Sequence, residues 1–135
     1  DLTAHILYYT HMNSLTYTII GITLFVVGII GWNIHSKSQP SKYDEFAKCL
    51  TEKKVTFYGA FWCPHCQNTK KSFGNAAQYL NYVECSTPDS KGQTQACIDA
   101  GIKGYPTWEF PDGSRLEGEI PMATLAEKSM CTLPE

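Results

Sequence analysis

The pattern of apolar and polar positions divides this chain into an uncharged N-terminal segment and a mixed remainder. Between Leu2 and Ser36 there is no Asp, Glu, Lys or Arg, and Ser14 to Trp32 reads S-L-T-Y-T-I-I-G-I-T-L-F-V-V-G-I-I-G-W. As a helix rising ~1.5 Å per residue, that run crosses a hydrocarbon core about 30 Å thick. One transmembrane helix is therefore expected over 14–32, with 1–13 as its N-terminal flank. Tyr17 and Trp32 suit the interfacial aromatic belt, and the flanking His5, His11 and His35 read as interfacial residues rather than ligands. A cleaved signal peptide or a buried core helix is the alternative. Against cleavage, no Lys or Arg precedes the run and no small-x-small site follows it. Asp1 is not an initiator, so a fragment or processed product is expected, with Met12 a candidate internal start.

Polarity returns over Asn33 to Pro40, a linker ending in Ser-Gln-Pro, and a folded domain is expected over 41–135. Ser41-Lys42-Tyr43-Asp44 has the S-x-x-D form of a helix start. Tyr43, Phe46, Ala47 and Leu50 follow at the spacing of one helix face, with Cys49 beside them. Val55 to Ala60 has the apolar character of a parallel strand buried on both faces. A helix is expected from Cys63 to about Ala77 with Lys70 and Lys71 on its solvent side, then a strand from Tyr79 to Glu84. Ser86 to Gly92 is a turn-rich loop, and Gln93 to Ala100 a short helix stopped by Gly101. Pro111-Asp112-Gly113 joins strands Thr107 to Phe110 and Ser114 to Gly118 into a hairpin, and Met122 to Met130 closes the domain as a helix carrying Leu125 and Ala126 inward. The order α-β-α-β-α-β-β-α predicts an α/β domain, a mixed sheet flanked by helices.

At 135 residues the chain has room for one such domain and its apolar appendage. A net charge of −2 without a basic stripe argues against a nucleic-acid partner. Six cysteines are many for this size, and because the cytosol keeps thiols reduced they point to an oxidising compartment. Lys37 and Lys42 after the span point weakly the other way, toward a cytoplasmic domain. The cysteines outweigh two lysines, and an extracytoplasmic domain is expected.

Two of those cysteines carry candidate chemistry. Cys63 and Cys66 stand in F-W-C-P-H-C just after the apolar strand, where a buried strand turns into a helix. There the first thiol meets unpaired backbone N–H groups and the positive end of the helix dipole, which stabilise its thiolate. Cys63 is the expected nucleophile, and Cys66, one turn on, is placed to resolve a mixed disulfide. Between them lie Pro64 and His65. The imidazole adds positive charge or a hydrogen bond that favours the reduced form, making the pair a stronger oxidant. C-x-x-C also marks metal sites, but c-type haem attachment needs His where Gln67 stands, and Cys85 and Cys97 lack the close spacing of a second zinc pair. No metal and no bound cofactor are expected; the redox group is the Cys63–Cys66 disulfide itself. Six cysteines allow fifteen connectivities, which the spacing leaves open.

W-C-P-H-C after a central strand, with G-Y-P-T before the hairpin, resembles the thioredoxin fold over Ser41 to about Cys131. The resemblance implies that Pro106 is cis and its loop lies against the active-site disulfide. Tyr105 then touches disulfide and partner, and the adjacent backbone pairs with an extended substrate strand. It implies that Trp62 packs beside the active site, while Trp108 reads as core. Two departures stand out. Phe57 occupies the position, six residues before Cys63, where thioredoxin carries a buried acid that moves protons, which weakens the case for a general reductase. The Pro-His dipeptide is similar to that of the bacterial oxidase DsbA, but Cys66 to Pro106 leaves no room for its helical insertion.

The runs F-A-K-C-L, F-Y-G-A-F-W-C-P-H-C-Q, Y-V-E-C-S-T-P and G-Y-P-T-W-E-F-P-D-G more closely resemble the thioredoxin-like domain attached to bacterial and plant homologues of vitamin K epoxide reductase. That resemblance implies a domain in the periplasm or thylakoid lumen that trades disulfides with a quinone-reducing membrane oxidase, so that the quinone is reached only indirectly. It also implies pairing of Cys85 with Cys97 and of Cys49 with Cys131. These pairs either brace the fold or relay electrons, bracing being favoured because neither has C-x-x-C spacing. The four-helix oxidase portion does not lie within this sequence, so a separate and a fused partner both stay open. The expected function is a membrane-anchored thiol–disulfide oxidoreductase acting between cysteine-containing client proteins and that oxidase. The alternatives are a tethered reductase or isomerase, and a non-catalytic assembly or chaperone subunit.

Overall fold

A computed structural model describes residues 2–37 and 40–135, with side chains over 14–35 and 40–135. Asp1 and the side chains of His5, His11, Met12 and Lys37 lie outside the described residues. The chain divides after Gln39 into two compact units.

The first unit holds helix α1 (Leu2–Lys37). It corrects the expected linker, because Asn33–Lys37 continues the helix. No Gly or Pro interrupts the chain there, and Asn33 Nδ2 donates to the Ile29 carbonyl at 2.9 Å, one turn back. Ser14–His35 contains an 18-residue window with a mean hydropathy of 2.0 and is 22 residues long. At ~1.5 Å per residue that is about 33 Å, long and apolar enough to cross a membrane. The Thr18 and Thr23 hydroxyls donate to the Leu15 and Ile20 carbonyls at 2.7 and 2.8 Å, so they are satisfied inside the helix as a hydrocarbon environment requires.

The second unit is built on strands β1 (Thr56–Gly59), β2 (Asn81–Glu84), β3 (Thr107–Glu109) and β4 (Arg115–Glu117), arranged β2-β1-β3-β4. β1 and β2 run parallel, with Phe57 opposite Tyr82 and Gly59 opposite Glu84. A parallel pair needs a crossover, which α3 (Pro64–Phe73) supplies. β3 lies antiparallel to β1, Trp108 opposite Phe57, and forms a hairpin with β4. Helices α2 (Asp44–Glu52), α4 (Gln95–Asp99) and α5 (Met122–Ser129) complete the unit.

One core joins Phe46, Ala47 and Leu50 of α2 to Phe57, Phe73, Trp108 and Leu125. Phe57 stacks on Trp108 at 4.5 Å between ring centres, and Phe46 on Phe73 at 5.9 Å. A smaller cluster gathers Cys85, Cys97 and Ile102, with Tyr58, Val83 and Tyr105 against it. β1 is therefore not buried on both faces: Phe57 and Gly59 are buried, while Thr56 and Tyr58 are half-buried, Tyr58 against the smaller cluster.

Other expectations are corrected locally. The helix after Cys63 stops at Phe73 because Gly74 takes φ +58, and Gly74–Tyr79 continues as a 3-10 turn that delays the next strand to Asn81. α2 begins at Asp44, and Ser41 does not cap it. Its hydroxyl accepts from the Tyr43 amide at 3.3 Å and donates to the Phe73 carbonyl at 3.4 Å, tying the start of the domain to the end of α3. Gln93 pairs with Ser86 in an antiparallel bridge, so α4 starts at Gln95. Lys70 is only partly on the solvent side: it is half-buried, with its Nζ 3.2 Å above the centre of the half-buried Tyr82 ring, while Lys71 is exposed.

Candidate active site

The short connection from β1 to α3 delivers both thiols to one place. Gly59 and Ala60 are buried, and the Cys63 amide donates to the Ala60 carbonyl at 3.0 Å, closing a tight turn out of the strand. Cys63 is the N-cap of α3 with extended backbone (φ −73, ψ 120), and its carbonyl accepts the amide of Gln67 at 3.1 Å. Pro64, which has no amide hydrogen to satisfy, opens the helix. Cys63 thus stands at the helix end whose first-turn amides lack intrahelical partners, although its sulfur makes no capping bond to them. Cys66 is 1% exposed, and burial pushes its thiol up to about 12, against a weaker backbone hydrogen bond from Ala60. The two sulfurs differ as attacking and resolving groups must, one at a helix end and one behind it.

The Tyr105–Pro106 bond is cis. Its loop faces the outer sulfur, with Cys63 Sγ 3.7 Å from the Tyr105 carbonyl oxygen, to which the thiol can donate. The Tyr105 hydroxyl accepts from Gln93 Nε2 at 2.9 Å, and its ring meets Trp62 edge-on at 6.2 Å. Trp62 is 47% exposed, with Nε1 donating to Ser86 Oγ at 2.8 Å. Phe61 is equally exposed beside it. His65 lies on the outer face, where its Nδ1 meets Glu119 Oε1 at 2.5 Å, and Asn68 Nδ2 donates to the same oxygen at 3.2 Å. The hydrogen bond to His65, then that to Asn68, holds the Glu119 carboxyl below its ordinary range.

The structure brings Cys63, Cys66, Trp62, Tyr105 and Pro106 together, whereas the other four cysteines form two bridges. Cys49–Cys131 joins α2 to the segment after α5, and Cys85–Cys97 joins the end of β2 to α4. Spacing alone does not reveal Glu84, Tyr82, Lys70 or Glu119 as neighbours of the site. The one available signal is an acidic residue, Glu84, closing a strand that is mostly half-buried.

The Cys66 environment also gives a pH signature. Its folded pKa is raised from an ordinary 9.0 to about 12, so the stability it contributes is fully present below about pH 9 and is lost as pH rises toward 12. The dithiol form is expected to lose more resistance to urea between about pH 7 and about pH 10.5 than the disulfide form, in which Cys66 has no proton to lose. Urea midpoints in both redox states check this; equal losses would refute it.

A dithiol at a strand-to-helix turn, its outer sulfur faced by a cis-proline loop on a mixed sheet, places the domain in the thioredoxin-fold class. The chain belongs to the thioredoxin family, whose model matches residues 36–129. It is 44% identical over 106 residues to thiol-disulfide oxidoreductase LTO1 of Arabidopsis thaliana, an alignment covering 76% of this chain and 28% of that protein. It is 36% identical over 76 residues to probable protein disulfide-isomerase ER-60 of Schistosoma mansoni, covering 53% of this chain and 16% of that one. The chain thus spans less than a third of the length of either relative.

Proposed function

We propose that this chain is a membrane-anchored thiol–disulfide oxidoreductase that exchanges disulfides between cysteine-containing client proteins and a vitamin K epoxide reductase-like, quinone-linked membrane oxidase. The observation that carries the reading is the asymmetric dithiol, with Cys63 at the helix start against the Tyr105 carbonyl and Cys66 buried behind it. Cys63 attacks or is attacked, Cys66 resolves, and Tyr105 with Pro106 orients the partner strand. The similarity to LTO1 supports the oxidoreductase reading. α1 supports anchoring, and the two further disulfides support an oxidising compartment such as the periplasm or thylakoid lumen. The dithiol is the redox group, and any quinone is met only through the partner. A reductase or isomerase role is the second reading, supported by the similarity to a disulfide-isomerase.

The redox state of Cys63 and Cys66 in intact membranes separates the two. Rapid acid quench, thiol alkylation and peptide mass mapping are expected to find the pair mostly oxidised, as a disulfide donor recharged by an oxidase must be. A mostly reduced pair would overturn the donor role in favour of the reductase or isomerase.

A further inference from the structure

Resolution by Cys66 needs a base, because a buried thiol attacks only as it sheds its proton. The strand position facing the core carries no acid: Phe57 is fully buried and stacked on Trp108. Polar groups reach Cys66 from elsewhere, through a gap left by Gly59. A Cβ on Gly59 would stand 2.9 Å from Cys66 Sγ, 2.9 Å from Tyr82 Cε2 and 3.4 Å from the Tyr82 hydroxyl. The missing side chain therefore leaves the thiol and the phenol on either side of one small space, which one water molecule would bridge.

The Tyr82 hydroxyl donates to Glu84 Oε2 at 2.7 Å. The other oxygen of Glu84 accepts the Phe61 and Ser86 amides at 3.2 and 2.8 Å, at the exposed rim of the site. Lys70 reaches in from α3 over the Tyr82 ring. Burial lowers the Lys70 pKa, with Glu84 and Cys66 opposing the shift, while burial and then the Glu84 hydrogen bond raise that of Tyr82. A neutral phenol passes a proton on by taking one as it gives one. The ionisable groups around Cys66 are Cys63 and Lys70 of the α3 segment and Tyr82 and Glu84 of β2; β1 presents Gly59 and the Ala60 backbone.

We propose that Glu84, acting through the Tyr82 hydroxyl and flanked by Lys70, accepts the Cys66 proton when the mixed disulfide is resolved. The proposal rests on the reading of Cys63 and Cys66 as an exchanging pair. The Cys66 sulfur bonds to the Cys63 sulfur while its proton moves to the Tyr82 oxygen and the Tyr82 proton moves to Glu84. The bond between Cys63 and the client breaks, and the client leaves as a thiolate with the electron pair. Glu84 then returns the proton to water. One S–S bond forms and one breaks, so the client cysteine is reduced as Cys66 is oxidised, and no free Cys66 thiolate accumulates.

Tyr82→Phe isolates the hydroxyl, because the ring keeps its edge-on packing against Phe57 at 5.2 Å. The full chain in detergent is reduced and mixed with oxidised glutathione, and stopped-flow quenching separates mixed-disulfide formation from resolution. In Tyr82→Phe and Glu84→Gln, resolution is expected to slow by about tenfold or more, while formation stays within about twofold. Resolution in the variants should climb with pH where the wild type has levelled off, and the double variant should be no slower than the slower single one. Wild-type resolution rates and pH profile in both variants would overturn the proposal, as would a slow Glu84→Gln beside an unaltered Tyr82→Phe. A wild-type chain that does not exchange with glutathione at all would overturn the dithiol reading, and this proposal with it.

Discussion

Cys66→Ala is expected to halt turnover and leave client proteins joined to Cys63. Cys66 lies one helical turn from Cys63, so its attack on a mixed disulfide is intramolecular, with an effective concentration far above any thiol in solution. Once that sulfur is gone, release depends on external thiols, and the lifetime of the adduct is expected to rise by roughly a thousandfold or more. The substitution is small, so near-ultraviolet circular dichroism should show the fold retained. Non-reducing electrophoresis of membranes carrying the variant should show adducts that vanish when Cys63 is also replaced. Adducts that persist without Cys63, or none with it, would defeat the assignment of attacking and resolving thiols.

Loss of the Cys49–Cys131 bridge is expected to have the next largest effect. It closes a loop of sequence separation 82, for which chain-entropy reasoning assigns about 4.5 kcal/mol. Against a typical domain stability of about 5–15 kcal/mol that is a large share. In a domain of this size the melting temperature should fall by roughly 20 °C or more. If the bridge braces the fold, Cys49→Ala combined with Cys131→Ala lowers the melting temperature but leaves the rate of dithiol exchange at 25 °C within about twofold of wild type. A large drop in exchange rate with little thermal effect would instead make it an electron relay. Calorimetry and stopped-flow exchange on the same preparation decide between them.

The two disulfides differ in how they sit. Cys85 and Cys97 are fully buried in the smaller cluster beside Tyr58 and Tyr105, whereas half-buried Cys49 and buried Cys131 pack with the main core. The loop between Cys85 and Cys97 also carries Ser86 and Gln93, which hold Trp62 and Tyr105 by hydrogen bonds. That bridge therefore anchors the segment supporting the rim of the site, and the Cys49–Cys131 bridge fastens the opposite end of the chain.

Features set by neighbours in the chain are readable from residue order. The charge-free run that forms most of α1, the inward face of α2 at Phe46, Ala47 and Leu50, and the C-x-x-C at the start of α3 all follow from local spacing and side-chain chemistry, whereas the cis Tyr105–Pro106 loop is legible only through the resemblance to the thioredoxin fold. Local rules also mislead where competing contacts outweigh them. Ser41 has the form of a cap but bonds to Phe73 across the domain, and Gly74 ends a helix whose apolar pattern continues. The surroundings of Cys66 belong to another category. Glu84 stands beside Gly59 because β1 and β2 pair in a parallel register, and Lys70 turns inward because the Tyr82 ring offers it a face. Glu119 reaches His65 across 54 positions of sequence. Such contacts depend on strand register and on the path of the crossover, which arise from packing the whole core, and no short-range pattern of residues encodes them.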